Sequence, residues 1–300
     1  MKVVSTEKLP EKLKTILIID SPTSKDLEDA DVLIGWPSRI NLVIEKCKNL
    51  KMIQTFSAGV DNLEFKLIPP HVKIFSNAGS YALPVAEHAW GLILAAAKGV
   101  NIKERLTAYQ IYGRTLLVVG GGGIGTEVAR LGRSFKTFNV GISRSFKDIT
   151  VFDKTDEITK VKEYVREADI IADTLPLNLK TKGILNYDLL SGIKKNCIIV
   201  NVGRGETVDE DGMFKLLSER NDIRFATDVF WRDAEGKENF YTSKLWKLNN
   251  FFATFHTAGA YGNNEVMVNA MSIAIDNVRR FIEGEETRNE VKISDYIEKS

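Results

Sequence analysis

One stretch constrains this chain more than any other: Leu116-Leu-Val-Val119 runs directly into Gly120-Gly-Gly122-Gly-Ile-Gly125, and Thr126–Phe135 follows in helical register. A β-branched run, a glycine turn and a helix in that order describe a strand that feeds a helix N-terminus. Gly120 permits the tight turn, Gly122 lets a pyrophosphate approach the backbone, and Gly125 lets helix and strand pack closely. With Gly123 and Ile124 between them, these residues form a candidate dinucleotide cradle, because free N–H groups at a helix start attract phosphate charge. The next strand ends in Ile142-Ser143-Arg144-Ser145. A site selective for NAD places a carboxylate about 20 residues beyond the turn, on the ribose hydroxyls. Here Ser143 and Ser145 offer hydroxyls and Arg144 a guanidinium suited to a 2′-phosphate, so the expected cofactor is NADP, with NAD possible.

Short apolar runs alternate with helical patterns along the rest of the chain. The first series is Lys2–Val4, Thr15–Ile19, Val32–Ile34, Met52–Thr55 and Val72–Phe75. The second is Leu116–Val119, Val140–Ile142, Ile170–Ala172, Ile198–Asn201, Phe225–Thr227 and Phe251–Thr254, with helical patterns such as Ile158–Glu167 and Glu210–Arg220 between its members. This rhythm predicts α/β architecture with two parallel-sheet domains, Rossmann-like or flavodoxin-like. Two long helical patterns, Pro84–Gly99 and Asn264–Glu283, read as crossovers. The expected division is 1–95 plus 263–300 for a substrate domain and 96–262 for a dinucleotide-binding domain, with the active site in the cleft between them.

At 300 residues the chain is long enough for two cores. Lys plus Arg (41) nearly balances Asp plus Glu (40), so no overall field draws it to nucleic acid or an anionic membrane, and a small ligand is expected. Cys47 and Cys197, each in an apolar stretch, fit buried thiols in a reducing compartment, and a metal site would need more ligands. No apolar run is long enough to span a bilayer, so the expected location is the cytoplasm. Of the three histidines, His71 follows Pro69-Pro70 in a turn and His88 lies in a helix, which suits structural roles. His256 follows a strand and precedes Ala258-Gly259, at the carboxyl end where open α/β sheets bind ligands.

Taken together, Ser57-Ala-Gly-Val-Asp61, Asn77-Ala-Gly79, Val85-Ala-Glu87, the glycine turn, Leu175-Pro-Leu177, Asn201-Val-Gly-Arg-Gly205 with Val208-Asp-Glu210, Asp228-Val-Phe230 and Thr254-Phe-His256 resemble the D-isomer-specific 2-hydroxyacid dehydrogenases in order and spacing. The resemblance covers nearly the whole chain. It implies that Arg204 anchors the substrate carboxylate and polarises its carbonyl, that the amides of Gly59 and Val60 hold the carboxylate's other side, and that His256 protonates the oxygen as hydride reaches carbon. It also implies that Asp228 lies by the nicotinamide and that Leu175 and Pro176 flank the adenosine.

Two departures stand out. The family pairs its histidine with a glutamate five residues after the aspartate of Asp-Val-Phe, and position 233 here is aspartate, whose arm is shorter by roughly 1.5 Å. Asp233 is nevertheless the expected partner; Glu235 could substitute but stands at the wrong spacing, and the alternative is that neither touches His256 and activity is low or specialised. The link Lys98–Arg114 is also shorter than the family's arm to the partner subunit, although a homodimer through the cofactor domain is still expected. The leading expectation is NADPH-dependent reduction of glyoxylate or hydroxypyruvate to the D-2-hydroxy acid. The alternatives are a D-3-phosphoglycerate or D-lactate dehydrogenase and a non-catalytic nicotinamide-nucleotide sensor of the same fold. Formate oxidation, which needs no carboxylate beside its histidine, fits poorly.

Overall fold

The structure, a computed structural model, describes residues 1–259 and 261–298. The chain divides into two compact units, Met1–Tyr81 with Gly262–Ser300, and Ala82–Tyr261. The division falls at Tyr81 and not near residue 95, because the helix Ala82–Lys98 packs on the helix Gly123–Gly132 and on strands of the second sheet.

The first unit holds β1 (Val3–Ser5), β2 (Ile18–Ile19), β3 (Val32–Gly35), β4 (Met52–Thr55) and β5 (Lys73–Phe75), all parallel, in the order β2-β1-β3-β4-β5. Its strands are apolar on both faces because both are covered: Leu33 and Ile53 belong to one core, while Val32, Ile34 and Met52 join Met271, Ala274 and Val278 of the helix Asn264–Glu283 in the other. That helix is capped by the Asn263 side chain at its start and by left-handed Gly284 at its end.

The second unit holds β6 (Thr115–Val119), β7 (Phe138–Ile142), β8 (Lys154–Asp156), β9 (Ile170–Asp173), β10 (Ile198–Asn201), β11 (Arg224–Thr227) and β12 (Phe251–Ala253). Their order is β12-β11-β10-β9-β6-β7-β8, again all parallel. The strand order reverses between β6 and β9, and ligands of open α/β sheets bind in the crevice at such a point. The expected parallel α/β architecture is therefore what the chain adopts.

The short link after Lys98 is tied to its own unit. Buried Arg224 donates to the carbonyls of Ala97 (3.1 Å) and Thr107 and lies 3.9 Å from the Tyr109 ring centre. Tyr109 in turn donates to the Asp222 carbonyl (2.8 Å), and Lys98 donates to the Tyr109 carbonyl (2.7 Å). Cys47 and Cys197 are buried and unpaired, and burial pushes both thiols up, Cys47 to about 11. Among the described residues, no helix is long and apolar enough to cross a membrane and no cluster of three or more metal-ligating side chains forms.

Candidate active site

The glycine turn sits at the switch point and uses its glycines for separate reasons. Gly120 has φ +113°, in the region only glycine enters freely. A Cβ on Gly125 would stand 1.9 Å from the Gly120 carbonyl oxygen, whereas one on Gly122 would meet open space. Gly122 is the N-cap of the helix that begins at Gly123 and Ile124, so that open face lies beside free helical N–H groups. These features fit a dinucleotide phosphate, whose bound cofactor would supply the hydride. At the end of β7 the Ser143 amide is taken by the Asp156 carbonyl (3.1 Å), and Arg144 and Ser145 are exposed. Across the switch point, Leu175 is buried and Pro176 exposed in the loop that follows β9.

Arg204 lies just after β10, as the N-cap residue of the turn Gly205–Thr207. Its carbonyl accepts from Asn201 Nδ2 (2.8 Å), Thr207 N (3.2 Å) and Thr207 Oγ1 (2.6 Å). Gly205 must follow it, since a Cβ there would fall 2.3 Å from the Phe230 backbone. The guanidinium, half-buried, donates through Nη1 to the Gly203 carbonyl (2.8 Å).

Asp228 and His256 are built as one piece. Asp228 follows β11 and is 1 % exposed. Its Oδ1 accepts from Thr254 Oγ1 (2.6 Å) and from the Thr257 amide (3.0 Å), and its Oδ2 accepts from the Ala258 amide (2.9 Å). Its carbonyl takes the His256 amide (2.7 Å). The segment 254–258 thus wraps the aspartate as a strap, and His256 at its centre has φ +51°. A non-glycine residue in that region persists only where its surroundings over-determine it. His88 adds to the same cluster, with Nε2 2.7 Å from Thr254 Oγ1 and 3.4 Å from Asp228 Oδ1. Burial by itself raises the Asp228 carboxyl; the bonds from His88, Thr254 and the two amides outweigh it and hold the group below the usual carboxylate range.

The partner of His256 is a correction. Nδ1 of His256 meets Glu238 Oε2, and Glu238 Oε1 accepts from the Phe230 amide (3.0 Å). Asp233 lies elsewhere: its side chain caps a turn, accepting from the amides of Glu235 (2.9 Å) and Lys237 (3.0 Å), while the exposed Glu235 pairs with Lys237. The segment Arg232–Glu238 folds back on itself, with a bridge between its two ends, and this loop carries the glutamate past the position that counting assigns. The sequence Asp233-Ala-Glu-Gly236 is a turn signal that points to such a detour. The contact of helical His88 with Thr254 has no local signal in the sequence, because the two residues lie 166 positions apart. In the first unit, Gly59 and the buried Val60 occupy the loop after β4, where Ser57 Oγ donates to the Gly59 carbonyl (2.6 Å). His71 Nε2 lies 3.1 Å from the Leu50 carbonyl, a structural contact.

Known proteins resemble this chain throughout. Residues 81–258 match the family profile described as D-isomer specific 2-hydroxyacid dehydrogenase, NAD binding domain. The chain is similar to hydroxypyruvate reductase of Thermotoga maritima (31% identity, covering 71% of this chain and 72% of that protein) and to glyoxylate reductase of Thermococcus kodakarensis (28%, covering 81% and 78%). It is also similar to D-3-phosphoglycerate dehydrogenase of Methanocaldococcus jannaschii (29%, covering 89%), of whose length it spans about half, 52%. Among solved structures, a Pyrobaculum aerophilum protein described as a candidate formate dehydrogenase superposes with a TM-score of 0.84 at 31% identity, covering 99% of this chain and 100% of that one.

Proposed function

The chain belongs to the D-isomer specific 2-hydroxyacid dehydrogenase family, and from that premise we propose that it reduces a small 2-keto acid, glyoxylate or hydroxypyruvate, with NADPH as the preferred hydride source. The observation that carries this reading is the pairing of His256 with Glu238 on a strap anchored by Asp228. With Nδ1 committed to a carboxylate, the ring presents Nε2 as the group that hands a proton to the substrate oxygen, and Glu238 fixes the tautomer and steadies the protonated ring. Arg204, held by its own carbonyl to Asn201 and Thr207, offers a planar fork for the substrate carboxylate. A carboxylate beside the histidine favours keto-acid reduction over formate oxidation.

The preference for NADPH rests on Ser143, Arg144 and Ser145 at the end of β7, where an NAD-selective site has a carboxylate. Steady-state reduction of glyoxylate, hydroxypyruvate and pyruvate with each cofactor at matched ionic strength tests both parts. Turnover with NADPH at a kcat/KM about tenfold or more above NADH is expected, since a charge-assisted bond to the 2′-phosphate is of that size. Ser143→Asp with Arg144→Ala should reverse the order. Tight NADPH binding with no turnover on any of the three acids would make the chain a nucleotide sensor. The homodimer is proposed on the family resemblance alone, and sedimentation equilibrium decides it.

A further inference from the structure

The second unit buries one carboxyl that the chemistry above does not use. Asp173 ends β9 and is fully buried, and its Oδ1 accepts the Leu175 amide (3.0 Å) at the start of the loop expected beside the adenosine. Its Oδ2 lies 2.5 Å from Oγ1 of Thr207, itself fully buried. The same Oγ1 lies 2.6 Å from the carbonyl oxygen of Arg204. A hydroxyl has one proton and cannot donate to two acceptors at once. Either the Thr207 proton goes to a carboxylate at position 173 and the Arg204 carbonyl goes without it, or residue 173 brings a proton of its own.

We propose that Asp173 is a positioning residue for Arg204: as a carboxylic acid it donates to Thr207 Oγ1, which then donates to the Arg204 carbonyl and clamps the backbone that carries the guanidinium. The proposal rests on the reading of Arg204 as the substrate-carboxylate anchor. It joins two loops through one buried group, since the acid also holds the Leu175 amide. Protonation is favoured because burial, opposed by the bonds from Thr207 and Leu175, pushes this carboxyl up to about 7. β6, β10 and the Gly120–Gly125 turn, the elements next to it in the sheet, contribute no ionisable side chain. The facing loop contributes Arg204 and Glu206, the latter paired with Arg232 (3.0 Å). Above neutrality the acid ionises, the Thr207 proton turns to it, and the Arg204 carbonyl loses one of its three bonds.

The test is the pH profile of KM for glyoxylate at saturating NADPH, on the native protein and three variants. In the native protein KM should rise about 2- to 12-fold between about pH 6 and about pH 8.5, the size of one neutral hydrogen bond, with a smaller change in kcat. Asp173→Asn should abolish the step and keep KM low, because the amide donates to Thr207 at every pH while its oxygen still accepts from Leu175. Thr207→Val should give a high, flat KM, and Thr207→Ser should restore the native profile. Any other titration in the site is common to the native protein and Asp173→Asn and cancels between them. A native step that survives in Asp173→Asn, or an unchanged KM in Thr207→Val, overturns the proposal. If the native protein reduces neither glyoxylate nor hydroxypyruvate, the substrate reading fails and the relay is decided by infrared difference spectra of native protein against Asp173→Asn. A protonated-carboxyl band present at about pH 6 and gone by about pH 8.5 supports the relay, and an ionised group throughout overturns it.

Discussion

Asp173 and Asp228 occupy matching places in one sheet, the carboxyl ends of β9 and β11, and both are essentially sealed from solvent at 0 % and 1 % exposure. Their protonation states nevertheless diverge. Asp228 is met by two backbone amides, a hydroxyl and an imidazole, and its carboxyl is held low in spite of burial. Asp173 is met by one amide and one shared hydroxyl, and burial prevails. Burial alone does not decide whether a strand-end aspartate here is a charge or an acid; the decision lies with the donors that meet it, four at Asp228 and two at Asp173. The 254–258 strap turns two N–H groups toward β11, whereas the 204–207 turn offers β9 only a side chain. The linkage signs are opposite as well. The depressed group contributes stability that is lost as pH falls below the usual carboxylate range. The raised group contributes stability that is lost as pH climbs from the ordinary value near 3.8 to about 7.

The harshest way to break this contrast is to remove the charged member. Asp228→Ala leaves the Thr257 and Ala258 amides without their acceptor and should lower unfolding stability at neutral pH by about 2–4 kcal/mol in urea titration. Because the same bonds hold His256 at positive φ, reduction should also be almost abolished. A variant of near-native stability would show that the strap keeps its shape by other means. Next in size is the pair Glu238→Gln and Asp233→Asn. The first should cut kcat/KM about 10- to 100-fold by removing the charge that steadies the protonated ring, and the second should change it less than about twofold. The opposite ranking would restore Asp233 as the partner and discard the Glu238 contact.

That last pair shows where the sequence stops being readable. The parallel sheets follow from apolar runs with no polar alternation, and the phosphate turn follows from glycines in a strand–helix context, both of them local patterns. Residue counting places the acidic partner at 233 because counting assumes no inserted residues, and the Arg232–Glu238 loop breaks that assumption. β8 (Lys154–Asp156) escapes notice because an edge strand that is mostly exposed carries no apolar signal. Asp173 and Thr207 are 34 residues apart and meet only because β9 and β10 are neighbours in register, with Asp173 opposite Asn201. The roles proposed for Arg204 and His256 come from the family resemblance, whereas the contacts that fix their geometry are three-dimensional.

A milder variant sharpens the contrast in the other direction. Asp173→Asn replaces a group that must ionise in an apolar site by a neutral amide of the same shape. At about pH 8.5 it should therefore be more stable than the native protein, by about 1–2 kcal/mol. At about pH 5, where the native side chain is neutral but the unfolded chain's is still largely ionised, the difference should be smaller, and it should vanish only below the ordinary value near 3.8. Thermal unfolding at the two pH values is the measurement. A variant destabilised equally at both would mean that Asp173 is ionised throughout, as Asp228 is.

The smallest expected effect belongs to His88, and it tests how the donors of Asp228 rank. Thr254 Oγ1 spends its only proton on Asp228 Oδ1, so the short contact from His88 Nε2 requires that nitrogen to be the donor. His88 is then an outer support that orients Thr254 and adds a weak long-range contact to the carboxylate at 3.4 Å. His88→Phe keeps the packing volume and removes the donor while the two amides and the hydroxyl continue to hold Asp228. The loss should be about 0.5–1.5 kcal/mol in stability and no more than about threefold in kcat/KM. Thr254→Val, which deletes both the bond to Asp228 and the acceptor for His88, should cost more than His88→Phe, and the double variant should cost little beyond Thr254→Val alone, because His88 acts on the aspartate mainly through that hydroxyl. Additive losses in the double variant would show that His88 acts on the carboxylate directly and not through the Thr254 hydroxyl.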